Sequence, residues 1–133
     1  MLLVMLIGSC MGWAQSTRTS AEDSLVPVYD RMSPTRVILD ATQVQRAMVD
    51  LPGWTLEDGH IKKTFECRGF GEAIAFIVAF SYACERIDHH PEIRNIYHRV
   101  AISITSYDAG AKISTHDIEL AKQIDAIAVA FVK

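Results

Sequence analysis

The sequence predicts an α+β fold: a four-stranded antiparallel sheet with three helices packed on one face, in the order helix, hairpin, helix, hairpin, helix. Two pairs of short strand-like runs surround tight-turn signals, Asp58-Gly59 and Tyr97-His98, and strands that come in hairpins pair antiparallel. Three stretches with apolar residues at helical spacing bracket those pairs. Helices segregated to one side of such a sheet make a two-layer domain. Half of the 133 residues are hydrophobic, enough for one real core, and we assign that core to residues 35–133.

The first helix starts at Asp40, where Gln43 completes a capping box and Val44, Ala47, Met48 and Leu51 supply the apolar face; Pro52-Gly53 ends it. Trp54 to Glu57 and His60 to Cys67 flank Asp58-Gly59, whose glycine accepts positive φ. Ile61, Phe65 and Cys67 share the buried strand face, interrupted by Lys63. A central helix over Phe70 to Asp88 carries a stripe of Phe70, Ala73, Ile74, Ile77, Phe80, Cys84 and Ile87. Phe76 and Val78 widen that stripe beyond what one sheet face needs, which points to a subunit contact. Strands over Glu92 to Ile96 and Arg99 to Tyr107 follow, then a turn at Asp108-Ala109-Gly110. The last helix follows Ser114, a cap-like partner of Asp117, with Leu120, Ile124, Ile127 and Phe131 on its apolar face.

Residues 1–34 form an apolar segment and a flexible linker. Met1 to Ala14 is too short to span a membrane and resembles the apolar region of a secretory signal, with Gly12-Trp13-Ala14 as a small-residue cleavage site. Ile7-Gly8-Ser9-Cys10 has the form of a lipoprotein processing site, which would export and anchor the protein at Cys10. Against both, no lysine or arginine precedes the apolar run, and a mis-assigned start with Met5, Met11 or Met32 as the true one reads equally well. Gln15 to Pro34 is rich in Ser, Thr and charge without apolar periodicity.

A net charge of −3 gives no footprint for nucleic acid. Three cysteines without C-x-x-C spacing make neither a disulfide framework nor a metal knuckle, and Cys67 and Cys84 read as small buried hydrophobes. Gly69-Phe70-Gly71 lacks the context of a phosphate loop.

Chemistry concentrates at Glu85-Arg86-Ile87-Asp88-His89-His90-Pro91. Two imidazoles can give one proton and take another in a single turnover. Glu85 lies four residues before His89, a helical spacing that lets the carboxylate orient that ring. Pro91 stops the helix and biases His90 toward extended backbone, so the two rings diverge and both face solvent. The same stretch also reads as a helix C-terminus decorated with cations. Adjacent histidines rarely converge on one ion, so a metal is not expected, and His60 and His116 read as solvated surface residues.

The run Glu85, His89, His90, Pro91, then Tyr97 and Asp117, resembles pterin-4a-carbinolamine dehydratases. Gly53-Trp54, the run from Phe65 to Phe70, Asp108-Ala109-Gly110 and Asp117 to Ala121 match as well, so the likeness covers about Leu39 to Phe131. The resemblance implies a hydro-lyase that dehydrates 4a-hydroxytetrahydropterin to quinonoid dihydropterin and so recycles tetrahydrobiopterin after aromatic amino-acid hydroxylation. It implies no cofactor, a cytoplasmic setting, a homodimer joined through its sheets or a homotetramer packed through its helices, and a hydroxylase as pathway partner. His89 and His90 become the acid-base pair, positioned by Glu85, with Pro91, Tyr107 and Asp117 as candidate substrate-binding residues. Asp117 serves equally as a helix N-terminal acid. Tyr107 departs from the family, which usually carries a third histidine there; a phenol can hydrogen-bond but is a poor proton shuttle at neutral pH, so a slower enzyme is expected. Relatives on this scaffold also act as dimerisation partners of a transcription factor, which keeps a weakly catalytic binding module as the alternative.

Overall fold

The structure, a computed structural model, describes residues 35–133, so the expectations for residues 1–34 lie outside the described residues. Helix α1 (Ala41–Val49) opens on the expected capping box: the Gln43 N–H donates to Asp40 Oδ1 and the Asp40 N–H to Gln43 Oε1, each at 2.9 Å. Strands β1 (Thr55–Glu57) and β2 (His60–Glu66) form the first hairpin, with Asp58 and Gly59 both at positive φ as a two-residue turn requires. Helix α2 (Phe70–Ile87) leads into the second hairpin, β3 (Glu92–Ile96) and β4 (Arg99–Ile104), and α3 (Thr115–Ala128) closes the fold.

All pairings are antiparallel and the strand order is β1-β2-β4-β3. Register sorts the side chains: Ile61 faces Ile104, Lys63 faces Ile102 and Phe65 faces Val100 on the helix side. Lys62, Thr64 and Glu66 face Ser103, Ala101 and Arg99 on the other side. The strand predicted to reach Tyr107 ends at Ile104, and Tyr107 instead begins a short 3-10 turn (Tyr107–Ala109). Helix α3 likewise stops before Phe131, which still packs on the core through its ring.

An aromatic chain runs through the core, from Trp54 to Phe65 to Phe76 to Phe80, with ring centroids 6.0, 5.1 and 5.0 Å apart. Helix α2 buries Ala73, Phe80, Cys84 and Ile87 of the predicted stripe and packs Ile77 against the core, but the edge of the stripe differs. Phe76 is fully buried, whereas Phe70 and Ile74 are exposed. This helix is apolar on nearly every side, so periodicity places the middle of the stripe but not its edge.

Lys63, the charge that interrupts the buried face of β2, is accommodated by partners. Its Nζ donates to Asp125 Oδ1 at 2.7 Å and to the Pro52 carbonyl at 2.8 Å, while Trp54 Nε1 donates to Asp125 Oδ2 at 2.9 Å. The ammonium also lies 5.0 Å from the centre of the Phe65 ring. Removing the shared acceptor takes the Trp54 N–H partner away and leaves the partly buried Lys63 ammonium with the Pro52 carbonyl and no counter-charge. Asp125→Ala is therefore expected to cost about 1–3 kcal/mol in urea unfolding at neutral pH; a loss under about 0.5 kcal/mol, the size of an ordinary surface change, would show that water replaces it.

Candidate active site

The end of α2 decides where the two adjacent imidazoles point. Asp88 adopts the left-handed conformation, with φ 49° and ψ 48°, and closes a Schellman motif in which the His89 N–H donates to the Cys84 carbonyl and the Asp88 N–H to the Glu85 carbonyl. Aspartate tolerates this region better than most residues. Because the chain leaves the helix one residue before His89, the expected alignment of Glu85 with His89 does not form. Glu85 Oε1 instead takes His90 Nε2 at 2.8 Å, in an exposed pair.

His89 turns inward, contrary to the expectation that both rings face solvent. It is 7% exposed, and its Nε2 lies 2.8 Å from Asp117 Oδ1. Asp117 is fully buried at the start of α3. Its Oδ2 accepts from the Ser114 N–H and the Ser114 hydroxyl, both at 2.6 Å, and the Ser106 hydroxyl stands 2.9 Å away. Burial pushes the Asp117 carboxyl up, but the His89 and Ser114 hydrogen bonds and the His89 charge outweigh it, and its pKa lies below the ordinary value. An ionised carboxylate only accepts, so Nε2 of His89 carries the hydrogen of this bond. Glu85 does the same for His90 at the surface.

Asp117, for which the sequence offers either a helix N-terminal acid or a site residue, serves as the cap and as the anchor of His89 at once. His116, expected at the solvated surface, is buried, with its ring 6.2 Å from that of His89. Ser106 has no local signal, because it lies eleven positions from Asp117 and the two meet only in three dimensions. Pro91 is half-buried between His90 and β3. Tyr107 is exposed and meets neither imidazole of the pair; its ring packs edge-on against His60 at 5.7 Å.

The Cys84 thiol, at the foot of the same helix end, is pushed up to about 11 by burial, so it offers no thiolate at neutral pH. Among the described residues, no group of three or more His, Cys, Asp or Glu side chains is placed to hold a metal ion. A depression of about 540 Å³ on the open sheet face, lined by Thr55, Lys62, Thr64, Arg94 and Ser103 among others, contains none of the candidate residues.

A network anchored on a depressed carboxylate has a pH signature. The folded pKa of Asp117 lies below its unfolded value, so its stabilising contribution is complete above about pH 4 and is lost as pH falls through the folded value. The difference in urea midpoint between the natural chain and Asp117→Asn should be wide at pH 7 and shrink steadily below pH 4. A difference independent of pH would mean that the carboxylate charge contributes nothing.

The model of the family described as pterin 4 alpha carbinolamine dehydratase matches residues 38–127. A protein of Opitutus terrae named "Putative pterin-4-alpha-carbinolamine dehydratase" is 36% identical over 90 residues, covering 68% of this chain and 93% of that one. A Bradyrhizobium protein of the same name is 43% identical over 94 residues, covering 69% and 93%. The crystal structure of a "transcriptional coactivator/pterin dehydratase" from Brucella melitensis superposes with a TM-score of 0.65 at 30% identity, covering 69% of this chain and 99% of that one.

Proposed function

The chain belongs to the pterin-4a-carbinolamine dehydratase family, and from that premise we propose that it dehydrates 4a-hydroxytetrahydropterin to quinonoid dihydropterin by histidine acid-base catalysis. The observation that carries this reading is the pair of adjacent imidazoles, each tied through Nε2 to its own carboxylate. One ring, protonated at Nδ1, gives its proton to the hydroxyl as the carbon–oxygen bond breaks and water leaves. The other takes the proton from the neighbouring ring nitrogen, whose electron pair forms the new carbon–nitrogen double bond. Substrate loses one water in total, and no electrons are exchanged, so the step calls for no redox cofactor.

In this reading His89 and His90 are catalytic and Glu85 and Asp117 position them, while Pro91 and Tyr107 border the pterin. The product re-enters the tetrahydrobiopterin cycle, with an aromatic amino-acid hydroxylase upstream and a cytoplasmic setting. Among the described residues no helix is long and apolar enough to cross a membrane.

Assembly fits the same proposal. Phe70, Ile74, Val78 and Tyr82 recur every four residues along α2 and are 52, 41, 51 and 70% exposed, a continuous apolar row that supports helix-to-helix packing of copies into a homodimer or homotetramer. The same row favours a second reading as a binding module for a partner helix, in line with the words "transcriptional coactivator" in the name of the Brucella melitensis protein. Light scattering on the full chain separates them: a defined oligomer that Val78→Glu breaks down supports self-assembly, whereas a monomer leaves the face for a partner.

An absorbance assay with a 4a-hydroxytetrahydropterin tests the activity. His89→Ala and His90→Ala should each lower kcat at least about tenfold, a threshold set below the roughly 10²–10⁴-fold that a positioned acid or base contributes. Wild-type rates in both variants with intact circular dichroism would end the acid-base assignment. Tyr107→His should raise the rate if an imidazole at that place was lost without replacement. An unchanged or lower rate, with Tyr107→Phe also impaired, would make the phenol a working donor.

A further inference from the structure

The tip of the β1–β2 hairpin does more than reverse the chain, because it is docked onto the loop that carries Tyr107. The Thr105 hydroxyl donates to the Gly59 carbonyl at 2.8 Å. Gly59 approaches that loop so closely that a Cβ would collide with the Ala111 carbonyl oxygen, and its φ of 75° also excludes most side chains. The next residue, His60, is thereby set against Tyr107, with ring planes 67° apart. From Tyr107 the path continues through neighbouring Ser106 to Asp117 and so to His89.

The orientation of the His60 ring is fixed by the turn itself. Nδ1 stands 2.8 Å from the Asp58 carbonyl oxygen, an atom that only accepts, so Nδ1 carries the hydrogen and the neutral ring keeps its lone pair on Nε2. His60 is half-buried, held in place and still reachable. Anchoring one ring nitrogen is how His89 and His90 are also held, although their anchors are carboxylates.

We propose that His60 is a substrate-binding residue of this site, its Nε2 accepting a hydrogen bond from a ring or amino N–H of the pterin that lies beside Tyr107. The inference rests on the dehydratase reading and adds to it a residue from the tip of the sheet's first hairpin. The ligand class it selects is a flat heterocycle that presents N–H donors along one edge, and the contribution is to binding, whereas proton transfer stays with His89 and His90.

The test is steady-state dehydration by the full chain carrying His60→Ala, His60→Phe or His60→Gln, with calorimetric binding of a non-reacting 7,8-dihydropterin alongside. His60→Ala and His60→Phe should raise KM and the dihydropterin Kd about three- to tenfold, the range for one neutral hydrogen bond, with kcat within about twofold. His60→Gln, whose side-chain oxygen accepts, should recover part of the loss. If His60→Phe matches the natural chain while His60→Ala does not, the ring only packs and the proposal is overturned. Wild-type KM and Kd in all three variants, or a fall in kcat at constant KM, overturn it as well. A natural chain that neither binds dihydropterin nor turns over the hydroxypterin would bring down the dehydratase reading itself, and His60 with it.

Discussion

A single buried carboxylate sets the conditions that the rest of the site must meet. Asp117 is entirely removed from solvent, and an ionised group in that position is tolerable only when donors surround it. Those donors come from three separate parts of the chain: Ser114 at the start of α3, Ser106 just past β4, and His89 beyond α2. Satisfying one residue therefore fastens the last helix, the final hairpin and the end of the central helix together. Residues before α1 complete the enclosure. The Leu39 N–H donates to the Ile113 carbonyl and the Thr115 N–H to the Val37 carbonyl, while Arg36 grips Asp108 with its two terminal guanidinium nitrogens.

The left-handed residue at Asp88 is what allows His89 to reach that carboxylate. Had α2 continued regularly, His89 would have stayed on the face it shares with Glu85, four residues earlier, and Asp117 Oδ1 would have lost its His89 partner. By unwinding at Asp88 the chain sends His89 inward and leaves Glu85 to His90. Neighbours in sequence thus acquire different surroundings: one ring is clamped in the interior and the other is held at the surface by a carboxylate that water screens.

The elements are legible in the sequence because each carries a local signal. The capping boxes at Asp40 and Ser114, the Asp58-Gly59 turn and the alternation of β4 all depend on residues within a few positions of one another. The middle of the α2 stripe is legible, with Ala73, Phe80, Cys84 and Ile87 buried as their spacing predicts, but its edge is not, since a helix apolar nearly all round lets the sheet choose how far to cover, and it covers Phe76 rather than Phe70 and Ile74. The site divides in the same way. His89, His90 and Glu85 stand out by type and spacing and Asp117 only through the family resemblance, whereas the exchange of partners between Glu85 and the two histidines depends on one backbone conformation. His116 and Ser106 are polar residues in the interior, and Ser106 is met there by the Ser114 hydroxyl, a partner that only the tertiary fold supplies.

The difference between the two imidazoles matters for the proposed reaction. Acid-base catalysis gains most when the groups that exchange protons are already oriented as substrate arrives, since no reorganisation is then needed in the transition state. His89 meets that condition through burial and a fixed hydrogen bond. His90 meets it less strictly, because an exposed pair with Glu85 can open and reform. A rigid interior group beside a more adaptable surface group suits a substrate that must enter, lose water and leave. The fold supplies this arrangement at one helix terminus, where the backbone changes hand and two consecutive residues are turned toward opposite environments.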